Sequence, residues 1–480
     1  MFFLFTFRII RCTMMFCKGE CFVMGKIRFL ITLWGCKTLR IVMRTLGRNA
    51  TYFPGRVALK ICPTFLSQIG KPPRCIAITG TNGKTTTANL IIVALRKHGV
   101  SVLDNSYGSN TATGLASALL KDASLFGKAK KDIAVLEVDE RSAMHIFPYI
   151  GFELVVITNL FRDSIMRNAH PEYIAKILCD NIPAGAKMLL NADDPITCGI
   201  APDNPRSYFG LEGMDSDVVE CVNLINDFQI CPKCQNNIKY EYRRYHHIGK
   251  AYCPNCDYKS PEYDYSGHVN LELQTLTIKD EVGAQNIKLP GDSVFNIYNA
   301  LTAYATLREV GLTPDESASA LDEAVIPASR YNEIEIDNVR IVMQMSKDRN
   351  ALACSRAFDY IASKPEQKEL ILMMNSPEDA KFWSENTCWL YDCDFEFLNT
   401  EGISRIITTG PRGLDYSLRL RFAGVPSDKI CFEEREIDAP KRLLLEPGSS
   451  VFIMYGTDSI DLAYKVRDAV RDRVIEANAN

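Results

Sequence analysis

No apolar run in this sequence reaches the roughly 18 residues that a membrane-spanning helix needs, because Arg8 and Arg11 interrupt the first one, Phe2 to Ile10. The same stretch lacks a small-residue cleavage site, which argues against a secretory signal. Internal repeats and extended low-complexity tracts are missing as well. So is a strong charge of either sign: the formal net charge is −3, which gives no bias toward nucleic acid. Acids are scarce at one end, since residues 1–60 hold eleven Lys or Arg and a single acid, Glu20. That segment is therefore about +10 and the remainder about −13. Cysteine is plentiful, at 17, but spread over a long chain, and the tight pairs have metal spacing. A reducing cytoplasm is the simpler reading.

The 480 residues suffice for two to four domains, and 47% hydrophobic with 24% charged residues is an ordinary globular balance. Residues 1–50 read as a basic and apolar leader or an amphipathic helix, with Met24 as an alternative start. Lys37, Arg40, Arg44 and Arg48 recur at three- and four-residue steps, a basic stripe on a helix, while Leu30, Leu33, Trp34 and Ile41 take other faces. Two readings stay open: a helix lying on an anionic membrane surface, or one docked on the protein's own body.

Short apolar runs at Cys75–Thr79, Ser101–Leu103, Ile133–Val138, Leu154–Thr158 and Met188–Leu190 read as buried strands. Helical stretches separate them, notably Thr85–His98, closed by Gly99, and Thr113–Leu120. The alternation predicts an α/β fold with a mostly parallel sheet. Residues 221–262 break the rhythm with a polar, Cys- and Tyr-rich insertion, and a helix from Asn296 to Val310 restores it. Pro327 marks a boundary, so the expected organisation is an ATP-binding domain over 51–325 and a smaller α/β domain over 326–480. Strands of the latter fall near Val339–Met345, Glu369–Met374, Arg405–Thr408 and Val451–Met454.

Between the first strand and its helix lies Thr79-Gly80-Thr81-Asn82-Gly83-Lys84-Thr85-Thr86-Thr87. A glycine-rich turn that opens a helix offers backbone N–H groups and the helix dipole to polyphosphate. Lys84 supplies positive charge to the outer phosphates, and Thr85 a hydroxyl to Mg²⁺. The strict pattern G-x-x-x-x-G-K-[ST] fails, because Ile78 stands five residues before Gly83. Glu137, at the end of a buried strand, is the candidate metal carboxylate. In the insertion, Cys231-Pro-Lys-Cys234 and Cys253-Pro-Asn-Cys256 form two C-x-x-C knuckles, the spacing of a closed, tetrahedral structural zinc site. His246 and His247 lie between the knuckles and read as bystanders to it.

The loop from Thr79 to Thr87 resembles the ATP loop of Mur ligases and folylpolyglutamate synthases. The likeness continues through Glu137, Val156-Ile-Thr-Asn159 and Leu190-Asn191-Ala-Asp193-Asp194-Pro195, and through Gly291 to Ala300 with Asn296 and Asn299. It implies a central P-loop ATPase domain that activates a carboxylate as an acyl phosphate. Gly80, Thr81, Asn82, Gly83, Lys84, Thr85 and Thr86 would cradle ATP. Asn191, Asp194, Asn296 and Arg330 would complete the nucleotide site, and Lys84 and Glu137 would be catalytic, with Thr85 and Glu137 holding Mg²⁺.

Two features narrow the likeness. The loop arrives at residue 80, which leaves no room before it for a nucleotide-sugar domain, so a substrate presented at a membrane fits better than a soluble one. A Mur-like core with a four-cysteine insertion is similar to the MurT-type ligase subunit of lipid II isoglutaminyl synthase. Further matches are Thr158-Asn-Leu-Phe-Arg-Asp163, Tyr208-Phe-Gly210 and Trp389-Leu-Tyr-Asp392-Cys-Asp394-Phe-Glu396. The resemblance implies ATP-dependent amidation of the D-glutamate α-carboxylate of lipid II, with ammonia from a GatD-type glutaminase partner in a heterodimer. It assigns Asp392, with Asp394 second, to complete the partner's catalytic triad. No Cys here lies in a G-x-C-x-G elbow, consistent with ammonia made elsewhere. The chain departs from the family at Ala328-Ser329-Arg330 and Ser346-Lys347-Asp348-Arg349-Asn350, and has Asn386 where an acid is common. Arg330 and Lys347 remain candidate phosphate or carboxylate contacts. The alternatives are an amino-acid ligase of the Mur or folylpolyglutamate type and a degenerate ATP-binding scaffold built around the zinc ribbon.

Overall fold

A computed structural model describes residues 18–106, 108–162, 170–290, 293–323, 331–346, 350–374 and 387–479. Phe2 to Ile10, Gly291, Asn386 and the expected contacts Arg330 and Lys347 lie outside the described residues.

Two α/β sheets organise the chain. The first has nine strands: β1 (Arg74–Thr79), β2 (Val102–Asp104), β3 (Ile133–Glu137), β4 (Leu154–Ile157), β5 (Lys187–Asn191) and β6 (Arg206–Leu211), then β9 (Tyr265–Asn270), β10 (Thr275–Lys279) and β11 (Ala284–Lys288). Their order is β11-β10-β9-β6-β5-β4-β1-β3-β2. Pairing is parallel from β2 to β9 and antiparallel for β9-β10-β11. The strand pattern follows the pleat: Cys75 and Ala77 of β1 enter the core on one face, Ile76 and Ile78 the core on the other. Burial on both faces explains why these strands read as continuous apolar runs rather than alternating ones.

The helix Lys84–Lys97 buries Ile91, Ala94 and Leu95 on the second face beside the helix Val294–Glu309. Arg96 and Lys97 fall in its last turn, where the dipole favours cations, and Gly99, at φ +76°, ends it. The first face is covered by the helices Lys18–Thr45, Phe53–Ile61 and Ala112–Asp122, with Phe29, Leu33 and Cys36 in the core. Of the two readings of the leading helix, docking on the protein's own body holds for this side of it.

The second sheet has order β12-β13-β17-β14-β15-β16: β12 (Tyr331–Ile336), β13 (Val339–Met345), β14 (Lys368–Met373), β15 (Ile403–Thr409), β16 (Ile430–Glu433) and β17 (Ser450–Tyr455). It is parallel except for the β12-β13 hairpin. The insertion forms a separate hairpin of β7 (Lys239–Tyr245) and β8 (Ile248–Tyr252). Among the described residues, no helix is long and apolar enough to cross a membrane.

Candidate active site and thiolate cluster

The loop after β1 is shaped by two glycines. Gly80 has φ +124°, and a Cβ there would lie 2.3 Å from Thr158 Oγ1; Gly83 has φ +87°, and a Cβ there would lie 2.2 Å from Asn299 Oδ1. Gly80 thus takes the conformational role that the strict pattern assigns two positions earlier. The loop is also bonded to the end of β4. Thr81 N–H donates to Asn159 O at 2.8 Å, Asn82 N–H to Asn159 Oδ1 at 3.0 Å, and Thr158 Oγ1–H to Asn82 O at 2.6 Å. Phe161 N–H donates to Thr81 Oγ1 at 2.9 Å.

Lys84 opens the following helix, and its ammonium donates to Glu140 Oε1 at 2.9 Å, to Thr81 O at 3.3 Å and to Gly80 O. Burial works against its charge, but Glu140, with Asp139 and Glu137 behind it, outweighs burial and holds the pKa above the ordinary lysine value. Thr85 Oγ1–H donates to Glu137 Oε2 at 2.8 Å. Glu137 is fixed from behind by Asn105, whose side chain bonds the backbone of Glu137 at 2.9 and 3.0 Å. Burial raises the Glu137 pKa, with Thr85 and Lys84 pulling the other way. A divalent cation would relieve that strain on the carboxylate. The two oxygens also have the right separation, since neighbouring ligands on an Mg²⁺ octahedron with bonds of about 2.1 Å lie roughly 3 Å apart. Thr85 and Glu137 therefore fit this ion.

The other nucleotide-site candidates divide. Thr86 is buried in the first turn of the helix, and Asn296 is buried at the start of the helix Val294–Glu309. Asn191 donates to Thr158 O at 3.2 Å and receives Asp193 N–H at 3.0 Å, so it braces the end of β4. Asp194 is 0% exposed; its carboxylate accepts Leu160 N–H at 2.7 Å and caps the helix Pro195–Cys198 through Ile196 N–H and Thr197 N–H. Its neighbour Asp193 is equally buried among Arg244, Tyr298 and Tyr263, at 2.9, 2.5 and 2.7 Å, the tyrosines donating.

The four sulfurs of Cys231, Cys234, Cys253 and Cys256 all lie within 4.8 Å of one another. Tetrahedral zinc with Zn–S bonds near 2.3 Å places its sulfurs roughly 3.8 Å apart, so the set fits that ion. Lys233 N–H and Asn255 N–H each point at a knuckle sulfur, at 3.4 Å, as donors that would stabilise thiolate charge.

Sequence reasoning missed the opposite end of this insertion. The turn between β7 and β8 carries His246 and His247 into the junction of the two sheets. His247 Nε2 lies 3.3 Å from Asp194 Oδ1, and its ring packs 4.6 Å from that of Phe161. His246 lies 3.8 Å from Asp394 Oδ2, and burial pushes its pKa down to about 4, so it is neutral. Asp394, 2% exposed, accepts Asn223 Nδ2–H at 2.8 Å and Leu224 N–H at 2.6 Å, which ties the insertion to the second α/β unit. Asp392, two residues away, is half-buried at the surface; burial raises its pKa, against the pull of Arg162. The chemistry that could have flagged this junction, two adjacent histidines, is in the sequence, but their partners are not near them in it.

A model of the Mur ligase middle domain matches residues 78–241, and one of the MurT ligase C-terminal domain matches residues 348–457. The lipid II isoglutaminyl synthase (glutamine-hydrolyzing) subunit MurT of Streptococcus pneumoniae is 31% identical over 397 residues, 82% of this chain and 87% of that protein. The protein of the same description from Staphylococcus aureus is 31% identical over 396 residues, 81% and 86% of the two chains. Among solved structures, a pseudomurein peptide ligase type C from Methanothermus fervidus aligns with a TM-score of 0.64 at 19% identity, covering 86% of this chain and 81% of that one. MurF ligase from Thermotoga maritima in complex with ADP aligns with a TM-score of 0.56 at 15% identity, covering 88% and 85%. These two likenesses are of fold.

Proposed function

Because this chain belongs to the MurT family of ligase subunits, we propose that it is the ATP-dependent subunit of an amide synthase that converts the D-glutamate of the lipid II stem peptide to D-isoglutamine. The α-carboxylate would be activated as an acyl phosphate, and ammonia delivered by a GatD-type glutaminase in a heterodimer would displace phosphate. The work would be done at the cytoplasmic face of the membrane.

The observation that carries this reading is that the adjacent residues Lys84 and Thr85, at the end of the loop after β1, are paired with two carboxylates that follow β3 or end it, Lys84 with Glu140 and Thr85 with Glu137. Lys84 would exchange Glu140 for the outer phosphates of ATP, a stronger partner for a buried ammonium because it brings more negative charge. The backbone N–H groups of Gly83 to Thr86 would meet the phosphates, while those of Thr81 and Asn82, bonded to Asn159, hold the loop's shape. Bound Mg²⁺, held by Thr85 and Glu137, would supply charge neutralisation for phosphoryl transfer. Asn191 and Asp194 enter as the frame of the nucleotide site, since their side chains serve the neighbouring backbone. Asn296 and Arg330 are proposed nucleotide contacts, and Asp392 the acid lent to the glutaminase.

The test is purified chain with MgATP, ammonia and lipid II. ADP formation with amidation of the stem peptide, read by mass spectrometry, is expected; ADP formation that requires an amino acid instead of ammonia would overturn the reading.

The four cysteines are proposed to hold structural zinc. Cys253→Ser should abolish stoichiometric zinc in the purified protein and lower its thermal transition, because structural zinc binding is folding free energy. Full zinc content in that variant, by elemental analysis, would remove the assignment.

A further inference from the structure

The helix Lys18–Thr45 has two apolar sides. At 3.6 residues per turn, Phe29, Leu33 and Cys36 fall on one, in the core, and Ile27, Ile31, Trp34, Ile41 and Val42 fall on the other, where all five are exposed. Trp34 Nε1–H donates to Leu125 O at 2.7 Å, which joins this outer side to a loop that presents Leu125 and Phe126, the latter 74% exposed. The result is a contiguous apolar surface on one side of the protein. Exposed apolar residues scattered singly would need no explanation, but apolar side chains clustered on one exposed face of a helix do.

Charge says what covers it. No acid occurs from Gly25 to Cys75, whereas Lys26, Arg28, Arg44, Arg48, Arg56 and Lys60 do. The adjoining helix end and loop, residues 121–132, add Lys121, Lys128, Lys130 and Lys131 against Asp122 and Asp132. The basic stripe expected from the sequence is only partly available for this, because the Lys37 ammonium is turned inward to Leu120 O and Ala123 O, at 2.8 and 2.6 Å. Outward presentation falls instead to the apolar residues, with cations at the margins. That is the arrangement of a helix that lies in a membrane interface, apolar face among acyl chains and basic rim at anionic headgroups.

We propose that the outer side of the helix Lys18–Thr45, with Leu125 and Phe126, seats the protein on an anionic lipid surface. The inference rests on the reading above in one respect, since a lipid-linked substrate gives this seating its use. It differs from a spanning anchor in being reversible and dependent on salt.

The experiment is co-sedimentation with phosphatidylglycerol-containing vesicles free of lipid II, so that the outcome does not depend on the ligase reaction, which is assayed separately in detergent. The protein should bind these vesicles about tenfold more tightly than phosphatidylcholine vesicles, and high salt should weaken binding. Ile31→Ser/Ile41→Ser and, independently, Phe126→Glu should each lower binding at least about fivefold while leaving the thermal transition and ATP turnover unchanged. Equal binding to both vesicle types, or undiminished binding by both variants, would overturn the proposal. So would loss of binding only on removal of residues 1–24, which would place the lipid contact in that segment. A halving of the protein's mass in solution caused by Phe126→Glu would assign the surface to a second copy of the chain.

Discussion

Lys84→Ala is expected to reduce ATP turnover by at least about 10³-fold, because it removes the ammonium at the start of the loop's helix, where it would meet the transferring phosphoryl group. The effect must be separated from a loss of folding, since the ammonium also compensates Glu140. Removing one member of a buried ion pair generally costs about 3–5 kcal/mol. Here Glu140 can take up a proton instead, as burial already raises its pKa. The decisive comparison is with Lys84→Ala/Glu140→Gln, which deletes both charges. It should recover the thermal transition of the natural protein and remain as inactive as Lys84→Ala. Turnover within about tenfold of the natural level in either variant would remove Lys84 from the phosphate-binding role.

The second large effect is expected at Asp392. If it orients the partner's catalytic imidazole, Asp392→Asn should lower glutamine hydrolysis by the complex about 10³–10⁴-fold, the scale of losing the acid of a triad, without changing ADP affinity. Asp394→Asn is the control that the structure supplies. Asp394 is consumed by Asn223, Leu224 N–H and His246. Its substitution should therefore lower stability and loosen the two α/β units, with a smaller effect on glutamine hydrolysis once the complex has formed. Glutaminase assays of the two complexes at saturating subunit concentration distinguish the roles. A larger loss from Asp394→Asn would exchange the assignments.

What could be read from the sequence is what is local in it. The P-loop needs a strand, two glycines, a lysine and a helix start within fifteen residues, and the structure assembles Thr79 to Thr87 in that order. The four-cysteine cluster was legible because each C-x-x-C pair is local in the sequence. By contrast, the inward turn of Lys37 depends on carbonyls at Leu120 and Ala123, at the end of another helix, which no helical periodicity could reveal. The burial of Asp194 depends on Leu160 N–H and on a hairpin turn some fifty residues away. Polar groups in general are the less predictable half of a core, because their position is set by whichever distant donor or acceptor would otherwise be unpaired. The antiparallel extension β9-β10-β11 was missed for a different reason: its half-exposed strands lack the continuous apolar runs of the parallel ones.

The close approach of Gly83 to Asn299 has an implication for anyone recombining these enzymes. Residues more than two hundred positions apart share one van der Waals contact, and Thr158 and Asn159 hold the other flank of the same turn. Thr79 to Thr87 is consequently not a portable cassette. Transplanted alone into another scaffold it would lose the surfaces that set its curvature, and the smallest exchangeable unit is the loop together with the end of β4 and the middle of the helix Val294–Glu309.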